Sequence, residues 1–182
     1  VSTGLLLLIK GLAMKTPQGS PPSFHPGRHM EIFDGAVMDP FQQRGKYAEP
    51  TVCSDCGAVY QKGRWHWSSM PTQVEVHKER CPACARIRED MPAGYLTIKG
   101  QFAKDHRDEL MQLIRHHEQR EKSEHPLQRI MQIDEQPEAW VITTTDIHLA
   151  RGLGEALEHA YRGTLHYHYN KDDYLLRVSW ER

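Results

Sequence analysis

A chain of 182 residues with 23 Lys and Arg against 24 Asp and Glu is neither a polybasic nucleic-acid coat nor an acidic tail, since non-specific phosphate binding needs a cationic excess. Its 38% hydrophobic and 26% charged residues exclude a wholly disordered or fibrous chain. The length suits one domain with a small satellite, so any contact with nucleic acid must come from a local patch.

The opening VSTGLLLLIKGLAM has an apolar run only from Leu5 to Ile9. That is too short to span a bilayer, and it lacks the basic leader and cleavage site of a secretory signal. We read it as an upstream extension with Met14 the natural start, no membrane association, and a cytoplasmic protein whose thiols stay reduced. Pro17, Pro21, Pro22, Pro26 and Pro40 punctuate the next residues, where no apolar period is sustained. The sequence therefore predicts a flexible arm over 1–45. Within it, DGAVMDPFQQRGK (34–46) reads as a plain linker in preference to a docking segment anchored by Phe41.

Residues 46–92 hold all four cysteines, as Cys53-x-x-Cys56 and Cys81-x-x-Cys84 separated by 24 residues. Two CxxC pairs can wrap four thiolates around one ion, and Gly57 suits the tight turn of such a knuckle. A four-sulfur zinc site is closed, with no position for water or substrate, so the Zn2+ would be structural. A module this poor in large apolar residues needs that folding energy, about 10–16 kcal/mol in small zinc modules. A redox CxxC, an iron–sulfur cluster and unliganded thiols are the alternatives, each a poorer fit to two pairs at this spacing. His66 and His77 are surplus to a tetrahedron that cysteines complete. Between the pairs, YQKGRWHW reads as a zinc-ribbon hairpin. Lys62, Arg64 and Trp65, with Arg86, Arg88 and Arg151 beyond, are the candidate nucleic-acid contacts, offering cations and a stacking ring. The competing reading packs Trp65 and Trp67 over the knuckles or against the larger domain.

From 93 to 182 the pattern alternates. YLTIK (95–99) reads as a strand. A long helix follows, with Phe102, His106, Leu110, Leu113, Ile114 and His117 on one face. His125–Pro126 breaks it, and Pro126 can open a short second helix with Leu127, Ile130 and Met131 inward. AWVITTT (139–145) is a strand covered on more than one side. Thr145 or Asp146 caps a helix that turns Leu149, Leu153, Ala156, Leu157, Ala160 and Tyr161 inward and ends at Gly163. TLHYHYNKDDYLLRVSW is a hairpin. The order β-α-α-β-α-β-β gives an α/β (α+β) fold, a four-cysteine zinc ribbon followed by a small mixed sheet with two main helices.

His166 and His168 lie two apart on one strand face, but no third ligand is visible. Gly152 and Gly154 sit inside a helix, where each costs about 1 kcal/mol relative to alanine; close packing or close approach to a ligand explains them. Thr143 to Asp146, near Arg151, form a polar strand end of the kind anions favour. No Ser-His-Asp order, GKS/T loop or HExxH motif is present, and the reading is non-enzymatic.

Together PTVCSDCGAVYQKGRW, CPAC, PAGYLTIKG, EHPLQRI and ITTTDIHLARGLGEAL resemble a family of small bacterial zinc-ribbon proteins, over 46–182. They are also distantly similar to the amino-terminal part of the archaeal and eukaryotic export adaptor of the large ribosomal subunit, which has more CxxC pairs. The resemblance implies cytoplasmic zinc binding by Cys53, Cys56, Cys81 and Cys84, and a ribosome or structured RNA partner. The alternative is a regulatory module that docks a protein partner.

Overall fold

Two sheets form, one around each stretch where β-branched and aromatic residues recur. The computed structural model describes residues 39–41, 45–69, 75–170 and 173–182. The Leu5–Ile9 run, Met14 and nearly all of the expected arm lie outside them. The first sheet comprises β1 (Thr51–Cys53), β2 (Val59–Gln61), β3 (Arg64–His66) and β4 (His77–Glu79), in the order β3-β2-β1-β4. Strands β2 and β3 are joined through Lys62 and Gly63, with φ of 55° and 77°. Two left-handed residues in succession match the twist of an antiparallel hairpin. Both Glu49 carboxylate oxygens accept from this turn, at 2.9 Å from Lys62 N and 3.0 Å from Gly63 N.

Helix α1 (Pro82–Glu89) follows, with Cys81 as its N-cap and proline in its first turn, where the missing N–H costs nothing. Then come β5 (Gly94–Lys99), α2 (Gln101–Asp105), α3 (Arg107–Glu124), β6 (Ile130–Glu135), β7 (Ala139–Thr144), α4 (Ile147–Tyr161), β8 (Thr164–Asn170) and β9 (Leu175–Glu181). The five strands order as β6-β7-β5-β9-β8, and only β5 and β9 run parallel. Alternate residues Leu96 and Ile98, Trp140 and Ile142, and Leu176, Val178 and Trp180 turn to one face. There they meet Ile147, Leu149, Leu153 and Leu157 of α4, and Leu110 and Ile114 of α3. Each such side chain contributes about 1.5–3 kcal/mol on burial.

The expected long helix is divided at His106 into α2 and α3. The short helix expected after Pro126 is instead strand β6. Its pairing with β7 shifts register between Ile130 and Gln132, so Ile130 and Ile133 face the same core although three apart. A bulge therefore imitates the helical period, and the unpaired edge of β7 decides the outcome. In α4 the cap is Asp146, whose carboxylate accepts from His148 N and Leu149 N. Ala160, expected inward, is exposed; with Ala156 it borders the groove toward α3. Gly154 is a packing glycine: a Cβ there would lie 2.7 Å from Val178 Cγ1 and 3.0 Å from a Leu165 methyl.

The cysteine segment and the five-stranded sheet fall in one compact unit. The boundary expected at 92/93 falls inside this unit; it holds two hydrophobic clusters, and Leu127 from beyond that boundary packs against the cysteine-side one. Among the described residues no helix is long and apolar enough to cross a membrane.

Candidate metal centre

The first CxxC pair lies on the turn after β1. There Cys53 N donates to Ala58 O at 2.7 Å and Gly57 N to Cys53 O at 3.0 Å, with Gly57 at φ +77°. The second pair lies at the start of α1 rather than on a second strand knuckle. Cys81 caps the helix, and its sulfur accepts from Cys84 N at 3.5 Å. Helix N-termini favour negative charge, so this placement suits thiolates. Cys81 N also donates to Cys53 Sγ at 3.3 Å, which ties the two pairs together.

All four sulfurs lie within 4.8 Å of one another, and Cys56 and Cys81 are 3.8 Å apart. A disulfide requires about 2.05 Å. Four sulfurs at about 2.3 Å from one ion stand about 3.8 Å apart along the edges of the tetrahedron. The Cys56–Cys81 separation matches that edge, and the whole quartet is gathered closely enough to share one ion. Cys53, Cys81 and Cys84 are buried and Cys56 is half-buried.

The electrostatics single out one residue the sequence did not. Arg129, between α3 and β6, is buried, and its guanidinium turns onto the sulfurs. Nη1 donates to Cys84 Sγ at 3.3 Å; Nη2 donates to Cys56 Sγ at 3.0 Å and approaches Cys81 Sγ at 3.9 Å. Its Nε donates to Pro126 O at 2.7 Å, and its backbone N–H to Thr145 Oγ1 at 2.9 Å. The Thr145 hydroxyl in turn donates to Leu127 O at 2.6 Å. Trp67 lies 5.8 Å from the guanidinium and anchors its own N–H on Lys122 O at 2.7 Å.

The hydrogen bond from Cys81, helped by Ala58 N–H and Arg129, pulls the Cys56 thiol down to about 4. The same shared proton, with burial, pushes Cys81 up, and burial raises Cys84 to about 11 against the pull of Arg129. Burial opposes the charge on Arg129, but the hydrogen bonds and field of the sulfurs outweigh it and hold the group above its ordinary value. Four thiolates around a dication carry two net negative charges, and one buried guanidinium halves that excess. The sequence holds no signal for Arg129 beyond that unmet need for a cation.

The expected nucleic-acid contacts divide. Lys62, Arg64 and Arg88 are exposed. Trp65 is only 8% exposed and packs edge-on against Tyr47, with Tyr60 beside it; its ring is wall, not an open stacking platform. Arg86 is 3% exposed: Asp39 pairs with one end, Met91 O accepts from the other at 2.9 Å, and Phe41 lies 4.5 Å beneath. It cannot reach a phosphate. The same contacts seat Phe41, where the sequence favoured a plain linker. Arg151 is spent on Glu155 at 2.7 Å and Tyr167. His166 and His168 are exposed, and among the described residues the four cysteines are the one group of metal-ligating side chains gathered closely enough to share an ion. Comparison with protein-family models, curated proteins and solved structures finds no match to this chain.

Proposed function

We propose that the quartet holds zinc as a structural ion, and that the protein is a non-enzymatic binding module built around it. One observation carries this reading: four sulfurs gathered within 4.8 Å of one another, faced by a buried arginine whose donors point at the sulfurs themselves. Such a site leaves no place for substrate, and a borderline-soft dication with no geometric preference of its own suits it. When bound, the metal supplies folding energy. The chain's own residues fix its surroundings: Gly57 and the α1 N-terminus set the two pairs, and Arg129 offsets their charge. Metal analysis of Cys53→Ser and Cys81→Ser proteins tests the reading. Each is expected to lose bound zinc, and retention of the parent's content in both refutes it.

For the partner we propose the ribosome or structured RNA, met by Lys62, Arg64 and Arg88. Support rests on their exposure and on the cationic hairpin tip. Co-sedimentation with ribosomes at low and high salt tests it, with binding expected at low salt and lost at high. A chain that stays at the top of the low-salt gradient refutes it. A protein partner is the second reading, favoured by Ile87 and Met91, which lie four apart at the end of α1 and are 45% and 51% exposed.

A further inference from the structure

The five-stranded sheet ends in two edges, and only one of them is guarded. Strand β6 carries a register shift between Ile130 and Gln132, the acidic residues Asp134 and Glu135, and an ion pair from Glu135 to Arg107 at 2.7 Å. Bulges and charges of this kind keep an edge from pairing with another chain. Strand β8 has neither. Its seven residues, TLHYHYN, contain no Lys, Arg, Asp, Glu or Pro, and its register with β9 runs unbroken from Thr164 to Asn170. Among the described residues no strand lies beyond it. A long, regular, uncharged edge is a template for a further strand. Tyr167 stands at its centre, 39% exposed, on the face that carries α4. Its ring lies 5.9 Å from the Arg151 guanidinium, and its hydroxyl 3.5 Å from Glu155 Oε1.

We propose that β8 pairs with β8 of a second copy of this chain, antiparallel about a two-fold axis at Tyr167, so that one sheet runs through both copies. The strand is self-complementary in that register. Tyr167 meets the partner's Tyr167, His166 meets the partner's His168, and Leu165 meets the partner's Tyr169. Each pair shares a side of the sheet, as antiparallel pairing requires. Apolar and aromatic groups therefore meet on the helix side and histidines on the other. Charge favours a second copy over an unrelated strand. Arg151 and Glu155 both reach Tyr167, so both flank the axis, and the rotation brings each Arg151 toward the partner's Glu155. Within the chain Arg151 holds Glu155 Oε1 through Nε; among the described residues its Nη groups and Glu155 Oε2 make no hydrogen bond. Space permits the pairing as well. Helix α4 packs mainly on β5 and β9, and β9 would stand three strand spacings, about 14 Å, from the partner's β9. Helices pack at about 8–10 Å, so the two copies of α4 clear one another. The dimer is closed, because it uses both open edges and leaves only guarded ones. The inference goes beyond the zinc and RNA readings and rests on neither.

Sedimentation equilibrium of the full, metal-loaded chain from about 1 to 500 µM tests the proposal. The mass is expected to rise from 21.1 kDa to twice that value and stop there. The expected dissociation constant is about 10–100 µM, in the weak range of small interfaces. Tyr167→Lys, at an exposed position, sets two ammonium groups against each other on the axis. It is expected to weaken the dimer about tenfold or more, with metal content and unfolding midpoint unchanged. Glu155→Arg is expected to weaken it severalfold, and the exchanged pair Arg151→Glu with Glu155→Arg to restore it. Hydrogen exchange at high protein concentration should slow at alternate β8 amides, those turned outward, and stay unchanged in β6. A mass that holds at 21.1 kDa throughout overturns the dimer and leaves the edge to a strand of another protein. A dimer that Tyr167→Lys leaves untouched, or a mass that grows without limit, overturns it equally.

Discussion

Replacing Arg129 by methionine keeps a long side chain in place while removing the charge and every donor. Two bonds to sulfur, at 3.3 and 3.0 Å, are charge-assisted and contribute about 1.5–3 kcal/mol each. Breaking a buried ion pair costs about 3–5 kcal/mol. The two routes agree on a loss of about 3–5 kcal/mol in the folding stability of the metal-loaded protein. Groups that support metal ligands from behind typically change metal affinity 10–100-fold, or about 1.4–2.7 kcal/mol. The remainder should fall on metal-free and loaded protein alike, through the lost bond to Pro126 and the contact with Trp67. Denaturant unfolding with and without metal measures the first quantity, and competition with a chromophoric chelator the second. Arg129→Lys should fall between, because a single ammonium cannot span Cys56, Cys84 and Pro126 at once. An Arg129→Met protein that holds zinc within twofold of the parent and unfolds at the same denaturant concentration refutes this account.

Other expectations follow from packing and charge. Gly154→Ala should gain about 1 kcal/mol in helix propensity yet lose about 1–3 to the collision with Val178 and Leu165; thermal unfolding at or above the parent's midpoint contradicts the close-packing explanation. Asp39→Ala strands the buried Arg86 guanidinium, at a cost of about 3–5 kcal/mol, and should make 39–41 susceptible to proteolysis. Burial and the neighbouring Arg120 lower His117 from 6.5, so the unfolded chain takes up that proton first. Its contribution to stability is present above pH 6.5 and lost as pH falls below it. His117→Gln should therefore lose less stability than the parent between pH 7 and 5 in parallel unfolding titrations, and identical losses contradict that assignment.

The sequence displayed the strands and the metal ligands because both rest on short-range pattern. Two CxxC pairs announce a site whatever surrounds them, and alternation in YLTIK is visible within five residues; AWVITTT was legible as a strand, though β7 fully buries only alternate residues where cover on more than one side was expected. Helix α4 was equally legible, with its cap narrowed to Thr145 or Asp146, of which Asp146 serves. Strand β6 was not, because its bulge places Ile130 and Ile133 three apart on one face and so mimics a helix. Trp65 and Arg86 could not be placed from sequence, since what buries them comes from afar. Tyr47 covers Trp65, and Asp39 meets Arg86 across 47 positions of chain. Arg129 was invisible for the same reason, as its sulfur partners lie at least 45 positions away. Long-range partners decide whether a cation is a surface contact or an internal counter-charge, and a linear pattern holds no record of them.

The parallel pairing of β5 with β9 has a kinetic consequence. Gly94–Lys99 and Leu175–Glu181 are the first and last strands of the five-stranded sheet, yet they are direct neighbours at its centre. During synthesis the central ladder cannot close until nearly the whole chain has left the ribosome. The thiol quartet, by contrast, is complete once Cys84 has emerged. Loop closure over that distance slows folding, so β5 waits with one edge paired to β7 and the other unpaired while translation continues. Metal capture can thus precede sheet assembly by about one hundred residues of translation, several seconds at about 5–20 residues per second. In that interval the nascent chain carries a formed thiolate site whose arginine counter-charge has not yet docked.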